Sequence, residues 1–386
     1  MHILIIPSFL FNNKDKTLGS FFMDQARALK LLGHKVSIIY CDTYSVKYYS
    51  DFINYKEEEV LNVEGIEIYR TRKFCPFKHG NGVYGQKDPF ANTILKLYDK
   101  HFSKNKPDII HAHCALWGGY AAYKLSKKIN VPYIITEHST LYMLHPKVLN
   151  NKMNILLNKV FSNAKNVVCV SQGLKELIQK YCEKIDVIGN VIDCSMFSER
   201  KIPSNRSTFK FLTVCYMKNE GQLLKKGIDT LIAAMGEIVK EYPNCQLALG
   251  GSGDAVELVK KWAGEYGVSE NIIYLGPLSR EEVASQMSNC DCFVLPSRYE
   301  TFGVVYIEAM ACGKPVIATR TGGPDAFVNE LNGLMIEKED VEELTHAMKY
   351  MVNNHYQYNS KTISDYVYEN FSMESIGNKL IGLYKS

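Results

Sequence analysis

The stretch DCFVLPSRYETFGVVYIEAMACG, residues 291–313, reads as strand, loop and helix in succession. "DCFVLPS" (291–297) is apolar along its run instead of alternating, the pattern of a strand covered on both faces of a parallel sheet. "VVYIEAMACG" (304–313) has the length and residue types of a buried helix, closed by Gly313. The loop "RYETFG" (298–303) therefore leaves the carboxyl end of a strand and feeds a helix N-terminus near Phe302–Val304. Free backbone N–H groups and the positive end of the helix dipole make such a point suitable for a phosphate. Gly303 would let the anion approach the backbone closely.

Working outward, the same strand–helix alternation runs through the chain. Apolar runs at 2–7, 36–40, 66–70, 108–113, 133–138, 166–171 and 185–190 predict strands of a first half, with a helical pattern over 19–35 that stops at Gly33. A polar stretch at 191–208 reads as a linker. A second cycle of strands follows at 209–216, 245–251, 271–276, 291–297, 315–319 and 333–337. The expectation is an α/β protein of two Rossmann-like, doubly wound parallel-sheet domains, 1–195 and 205–371. A terminal helix at 372–386 is expected to pack back on the first domain. In such sheets ligands sit beyond the carboxyl ends of the strands, so the cleft between the domains is the expected site. The Gly- and Pro-rich loop 74–90 is a candidate mobile segment.

Composition excludes several classes. At 386 residues, with 46% hydrophobic and 22% charged residues, the chain suits two soluble globular domains. No apolar run approaches the ~20 residues of a membrane span. The opening "MHILIIPSFLF" (1–11) lacks a basic n-region and a cleavage site, and reads as a first buried strand, not a signal peptide. Eleven cysteines without a CxxC pair suggest small buried hydrophobes in a reducing, cytoplasmic setting, with no disulfide or zinc framework. Residues 1–195 carry 26 Lys/Arg against 17 Asp/Glu, leaving 19 against 24 for the remainder. That bias fits an anionic partner or a solvated surface; without a dense basic tract interleaved with aromatics, nucleic acid is not expected.

Two glutamates bracket the anion site. Glu300 precedes it, and Glu308 lies ~6–8 Å along the helix axis from the free amides at ~1.5 Å rise per residue. A carboxylate beside a phosphate needs something else to hold. A nucleotide sugar provides it: the diphosphate on the amides, ribose hydroxyls donating to Glu308, and sugar hydroxyls donating to Glu300.

The segment Glu300–Glu308 followed by "AMACGKPVIATRTGGP" (309–324) resembles the E-x7-E element of the retaining glycosyltransferases of family 4, which have the GT-B fold. Further landmarks, "PDIIHAH" (107–113), "ITEHS" (135–139), "VVCVSQGL" (167–174) and "LGGSGD" (249–254), extend the resemblance over nearly the whole chain. It implies a hexosyltransferase with no cofactor and no bound metal. The donor would be a nucleotide-diphosphate sugar, UDP favoured, and the acceptor a glycan or a lipid-linked sugar. Donor contacts are implied for Gly19, Phe302, Gly303, Val304 and Glu308, and catalytic roles for Glu300, His113 and Lys226. Gly19 reads equally as a glycine opening a helix.

Lys226 would neutralise charge gathering on the departing diphosphate. The family arginine that usually precedes it is replaced by Tyr216, with extra residues in "VCYMKNEGQLLKKG" (214–227), so either Lys225 or Lys218 substitutes or a donor hydroxyl or amide does more. Glu137 and His138 end a neighbouring strand and are assigned to the acceptor or to support of the site; His111 reads as core. The chain contains no Asp-x-Asp, so a metal bridging the diphosphate is not indicated. Front-face transfer with retention is the expected mechanism. Two alternatives stand: a nucleotide-sugar-binding protein without transferase activity, and a nucleotide-sugar epimerase of the same fold. Finally, the segment 145–166 mixes apolar residues with Lys147, Lys152, Lys159 and Lys165, as an interfacial helix on an anionic membrane would; a helix packed on the domain's own sheet with solvated lysines is the favoured alternative.

Overall fold

The computed structural model describes residues 1–12, 18–44, 52–53, 58–74, 85, 87–144, 147, 149–199 and 208–386. It divides into two compact units, Met1–Val191 with Met373–Ser386, and Ile192–Ser372.

The first unit is built on a sheet of β1 (His2–Pro7), β2 (Lys35–Tyr44), β3 (Glu58–Val63), β4 (Ile66–Phe74), β5 (Ile109–His113), β6 (Tyr133–Glu137), β7 (Asn166–Cys169) and β8 (Ile185–Val187). Their order is β3-β4-β2-β1-β5-β6-β7-β8. Every β5 and β6 residue is buried, the polar His111, His113, Thr136 and Glu137 included, as in strands covered on both faces. Helices α1 (Ser20–Leu31), α2 (Lys87–His101), α3 (Tyr120–Ile129), α4 (Leu141–Leu144), α5 (Asn151–Ser162) and α6 (Gln172–Ile178) connect the strands. The terminal helix Met373–Lys385 packs on α1, where Gly377 lies against Ala28 and Leu32. β3 is antiparallel to β4, an exception to an otherwise parallel sheet, and sequence reasoning did not find it. Glu64 and Gly65, at φ 53° and 76°, form the two-residue turn that a right-twisted hairpin needs. Most of the loop expected to be mobile, 75–84 and 86, lies outside the described residues, and its end is the first turn of α2.

The second unit carries β9 (Lys210–Val214), β10 (Gln246–Gly250), β11 (Ile272–Gly276), β12 (Cys292–Leu295), β13 (Val316–Thr319) and β14 (Gly333–Ile336), all parallel. Their order is β11-β10-β9-β12-β13-β14. The helices are α7 (Glu220–Lys225), α8 (Ile228–Glu241), α9 (Val256–Glu265), α10 (Arg280–Ser288), α11 (Val304–Ala311), α12 (Val341–Asn354) and α13 (Ser360–Phe371). Side-chain caps set their starts: Asn219 for α7, Asp340 for α12, Asn359 for α13, and a reciprocal Ser279–Glu282 capping box for α10. The chain leaves the first unit at Val191, inside the expected linker, of which 200–207 lie outside the described residues.

Candidate active site

In the second unit the strand order reverses at β9, with β10 on one side and β12 on the other. Loops leaving the carboxyl ends of β9 and β12 therefore diverge, and the crevice between them is where a doubly wound sheet binds its ligand. The first loop delivers Lys226 and the second Glu300. The two form an ion pair, and the Ser297 hydroxyl donates to the same Glu300 oxygen over 3.0 Å. Glu300 is 8% exposed, so this charge is paired in a largely desolvated setting.

Backbone geometry forces the loops together. Gly227 adopts φ 66°, and a Cβ there would fall 1.9 Å from the Pro296 carbonyl oxygen. Only glycine fits both the conformation and the approach. Nearby charges register the same crowding. Burial pushes the Cys215 thiol up to about 12, with Lys226 pulling it down and Glu300 pushing it further. Burial pulls Lys225 down, and so does adjacent Lys226, while Glu300 acts in the opposite direction.

The helix after Glu300 begins where the sequence reading placed it. Gly303 is its N-cap at φ 94°, and no side chain caps the α11 amides. Val304 and Glu308 are partly exposed, whereas Phe302 is 2% exposed and packs on Phe327 and Phe371 at 4.9 and 5.7 Å between ring centroids. The ring of Phe302 is core, so the donor contact expected of this residue falls to its backbone, where the sequence reading put the free amides. Gly323 packs so tightly on this loop that its Cβ would lie 2.9 Å from the Glu300 carbonyl oxygen. Of the candidate substitutes for the missing arginine, Lys225 is half-buried beside Lys226; Lys218 and Tyr216 are exposed. Ser297 was missed by sequence reasoning, its only signal being that it follows a strand and precedes Glu300.

The first unit has its own switch point, between β1 and β5, where Pro7 pairs with His113. Gly19 (φ 73°) opens α1 there, with room for no side chain between Phe9 and Phe22. His113 is fully buried, its ring 4.5 Å from that of Phe22, and its Nδ1 lies 3.2 Å from His138 Nε2. Its Nε2 has no hydrogen-bond partner among the described residues. Burial holds the imidazole well below its ordinary range, helped by His111 and His138, so it is neutral. His111 is core as expected: its nitrogens bond Thr136 Oγ1 and the Tyr384 hydroxyl, each at 2.7 Å.

Glu137, expected at the acceptor or in support of the site, is enclosed, as a supporting residue would be. Its carboxylate accepts from the backbone N–H groups of Ala115, His138 and Ser139 at 2.8, 3.0 and 2.9 Å, and from the Tyr142 hydroxyl at 3.0 Å. All four bonds organise the loops after β5 and β6, leaving it no face for a ligand. His138 is buried beside it, near Asn190. The structure thus assembles Lys226, Glu300, Gly303, Val304 and Glu308 in one unit, and Gly19, His113, Glu137 and His138 in the other.

The apolar side of α5 is core, in line with the packed-helix reading of 145–166 and not with the interfacial one. Met153, Leu156, Leu157, Val160 and Phe161 are buried, and Ile155 alone among the helix's large apolar residues stands out, at 70% exposure. Val148 lies outside the described residues.

Two family models match the chain: "Glycosyltransferase Family 4" over residues 18–196 and "Glycosyl transferases group 1" over 214–368. An uncharacterized glycosyltransferase of Methanocaldococcus jannaschii is 30% identical over 306 residues, 78% of each chain. The chain belongs to the family 4 glycosyltransferases. Solved structures agree on the fold of this glycosyltransferase. Sucrose-phosphate synthase from Thermosynechococcus elongatus superposes with a TM-score of 0.76 at 20% identity, covering 100% of this chain and 98% of that one. Anabaena HepE in complex with UDP and glucose gives 0.72 at 17% identity, covering 100% and 99%. The two parallel-sheet units are those of the GT-B class.

Proposed function

We propose that this glycosyltransferase moves a hexose or N-acetylhexosamine, with retention, from a UDP-sugar to a sugar or lipid-linked acceptor in polysaccharide or glycolipid assembly. The observation that carries the reading is the meeting of Lys226 and Glu300 at the switch point, directly before an uncapped helix start. The diphosphate lies on the α11 amides and draws Lys226 away from Glu300, with Lys225 as the second cation in place of the missing arginine. Glu300, released, accepts from the sugar hydroxyls, while Glu308 accepts from the ribose. Charge accumulating on the departing phosphate is held by the helix dipole and the lysines, so no metal is required. His113, neutral and with Nε2 without a partner among the described residues, is the first unit's candidate for a sugar hydroxyl; Gly19 keeps the turn beside it free of a side chain. Glu137 braces these loops. UDP is favoured because HepE, which shares the fold, holds UDP and glucose.

A panel of nucleotide sugars tests this by thermal shift and by donor hydrolysis or transfer. A UDP-sugar should stabilise the protein and be turned over, and EDTA should leave that turnover intact. Stabilisation without turnover under every acceptor tried would favour the silent binding protein, interconversion of the sugar would favour the epimerase, and EDTA inhibition reversed by Mg²⁺ would overturn the metal-free chemistry.

A further inference from the structure

Arg298 lies two residues before Glu300, and the chemistry above does not use it. Its side chain is 16% exposed, and its bonds all run across the crevice or along its rim. Nη1 and Nη2 grip the two oxygens of Asp229 at 3.0 and 2.7 Å. Nη1 also donates to the Leu224 carbonyl, Nε donates to Glu339 at 2.8 Å, and the backbone N–H donates to the Lys225 carbonyl at 2.9 Å. Three of these partners, residues 224, 225 and 229, flank Lys226 on both sides.

Lys226 is itself fixed in that segment. It is the C-cap of α7, its N–H shared between the carbonyls of Gln222 and Leu223 at 3.0 and 3.1 Å, and Gly227 follows at once as the N-cap of α8. The end of α7, the lysine and the first turn of α8 are thus docked as one piece onto a guanidinium that sits two residues from Glu300. The two charged residues come from loops on different strands, β9 and β12, so their separation must be set by a contact between the loops. A planar fork can straddle a carboxylate and still reach a carbonyl and a second acid; an ammonium cannot.

We infer that Arg298 is a positioning residue that sets the distance between Lys226 and Glu300 across the crevice. The roles of those two residues in the reaction rest on the proposed function; their geometric coupling through Arg298 does not.

The test is a thermodynamic cycle of urea unfolding with wild type, Lys226→Met, Glu300→Gln and the double variant. It is repeated with Arg298→Lys, which keeps the charge, and with Arg298→Met. The coupling between Lys226 and Glu300 should fall by at least half in both Arg298 backgrounds. A coupling that is unchanged while all four members lose stability equally would make Arg298 an ordinary structural residue and overturn the inference. UDP titration gives a second readout. Arg298→Lys should weaken binding by a fold-change that vanishes when Lys226 is already Met, because the arginine acts through the lysine; additive losses would count against it. If the wild type binds no nucleotide sugar of the panel, the proposed function has failed, and the unfolding cycle still judges Arg298.

Discussion

At Glu300 and Lys226 the proposed function requires an ion pair to be exchanged for contacts with the donor. This separates the consequences of mutating each side chain. Lys226→Ala removes a charge that acts on the leaving group and should lower kcat/KM by a factor of about 10² or more, a few kcal/mol. Glu308→Ala should weaken UDP itself, since ribose contacts exist in substrate and product alike. Glu300→Gln should lower kcat while UDP affinity stays within about threefold, because its partner is the sugar, as an uncharged group cannot accept as strongly. Calorimetric titration with UDP beside steady-state kinetics measures all three; equal loss of UDP affinity in both glutamate variants would mean that the assignment of the ligand's two ends is wrong. The placement of Glu300 and Glu308 was legible in the sequence because its signal is local, a strand end, a glycine and a helix start in close succession, whereas Lys226 came only from the resemblance. The surroundings of Glu137 and Phe302 were not legible. Nothing in "ITEHS" or "YETFG" says that four donors converge on one carboxylate or that Phe327 and Phe371 close over a ring, since those partners are set by tertiary packing.

Among the secondary-structure elements, the strands were the most legible part of the chain. β1 runs His2–Pro7 where 2–7 was expected, and β12 runs Cys292–Leu295 inside 291–297, because strands buried on both faces need unbroken apolar runs. β3 escaped for the converse reason. Its residues are half-buried or exposed at an edge, and its acid-rich start does not read as a strand. Glycines divide in the same way between those that a turn demands and those that sit in open helix. Gly227→Ala places a Cβ on the Pro296 carbonyl at a positive φ and should destabilise the second unit by more than about 2 kcal/mol. Gly382→Ala, in the terminal helix with nothing within 4 Å, should stabilise by about 0.5–1 kcal/mol through helix propensity. Urea midpoints of the two variants should move in opposite directions. A Gly227→Ala protein as stable as wild type would show that the β9 and β12 loops do not meet as closely as described.

Over the whole molecule the excess positive charge of residues 1–195 remains, but the apolar side of α5 is buried, so any attraction to an anionic surface must be electrostatic and fade as salt screens it. Sedimentation with anionic vesicles at low and high salt checks this; binding that survives high salt would require an inserted apolar face other than the buried side of α5. A sharper global consequence comes from the three histidines buried in the first unit. Burial lowers His111 and His138 to about 3 and holds His113 well below its ordinary value. In the unfolded chain each titrates near about 6.5. Between those limits the unfolded state binds more protons than the folded one, so the stability these groups contribute is fully present above about pH 6.5 and is lost as the pH falls. Each histidine adds a slope of up to about 1.4 kcal/mol per pH unit. Glu137 works against this, because burial raises its carboxyl in the folded state despite four hydrogen bonds. The comparison therefore has to be made between the pH slopes of two proteins, not along a single curve. The chain has two tryptophans, Trp117 in the first unit and Trp262 in the second. In a Trp262→Phe background, urea unfolding followed by Trp117 fluorescence isolates the unit that carries the histidines. From about pH 6 to about pH 5 the stability of that unit should fall, and His111→Gln, which keeps a donor and an acceptor for Thr136 and Tyr384, should reduce the slope by close to one proton's worth. A His111→Gln protein with the wild-type slope would mean that His111 is already protonated in the folded unit and that its bonds to Thr136 and Tyr384 hold a cation, contrary to its complete burial.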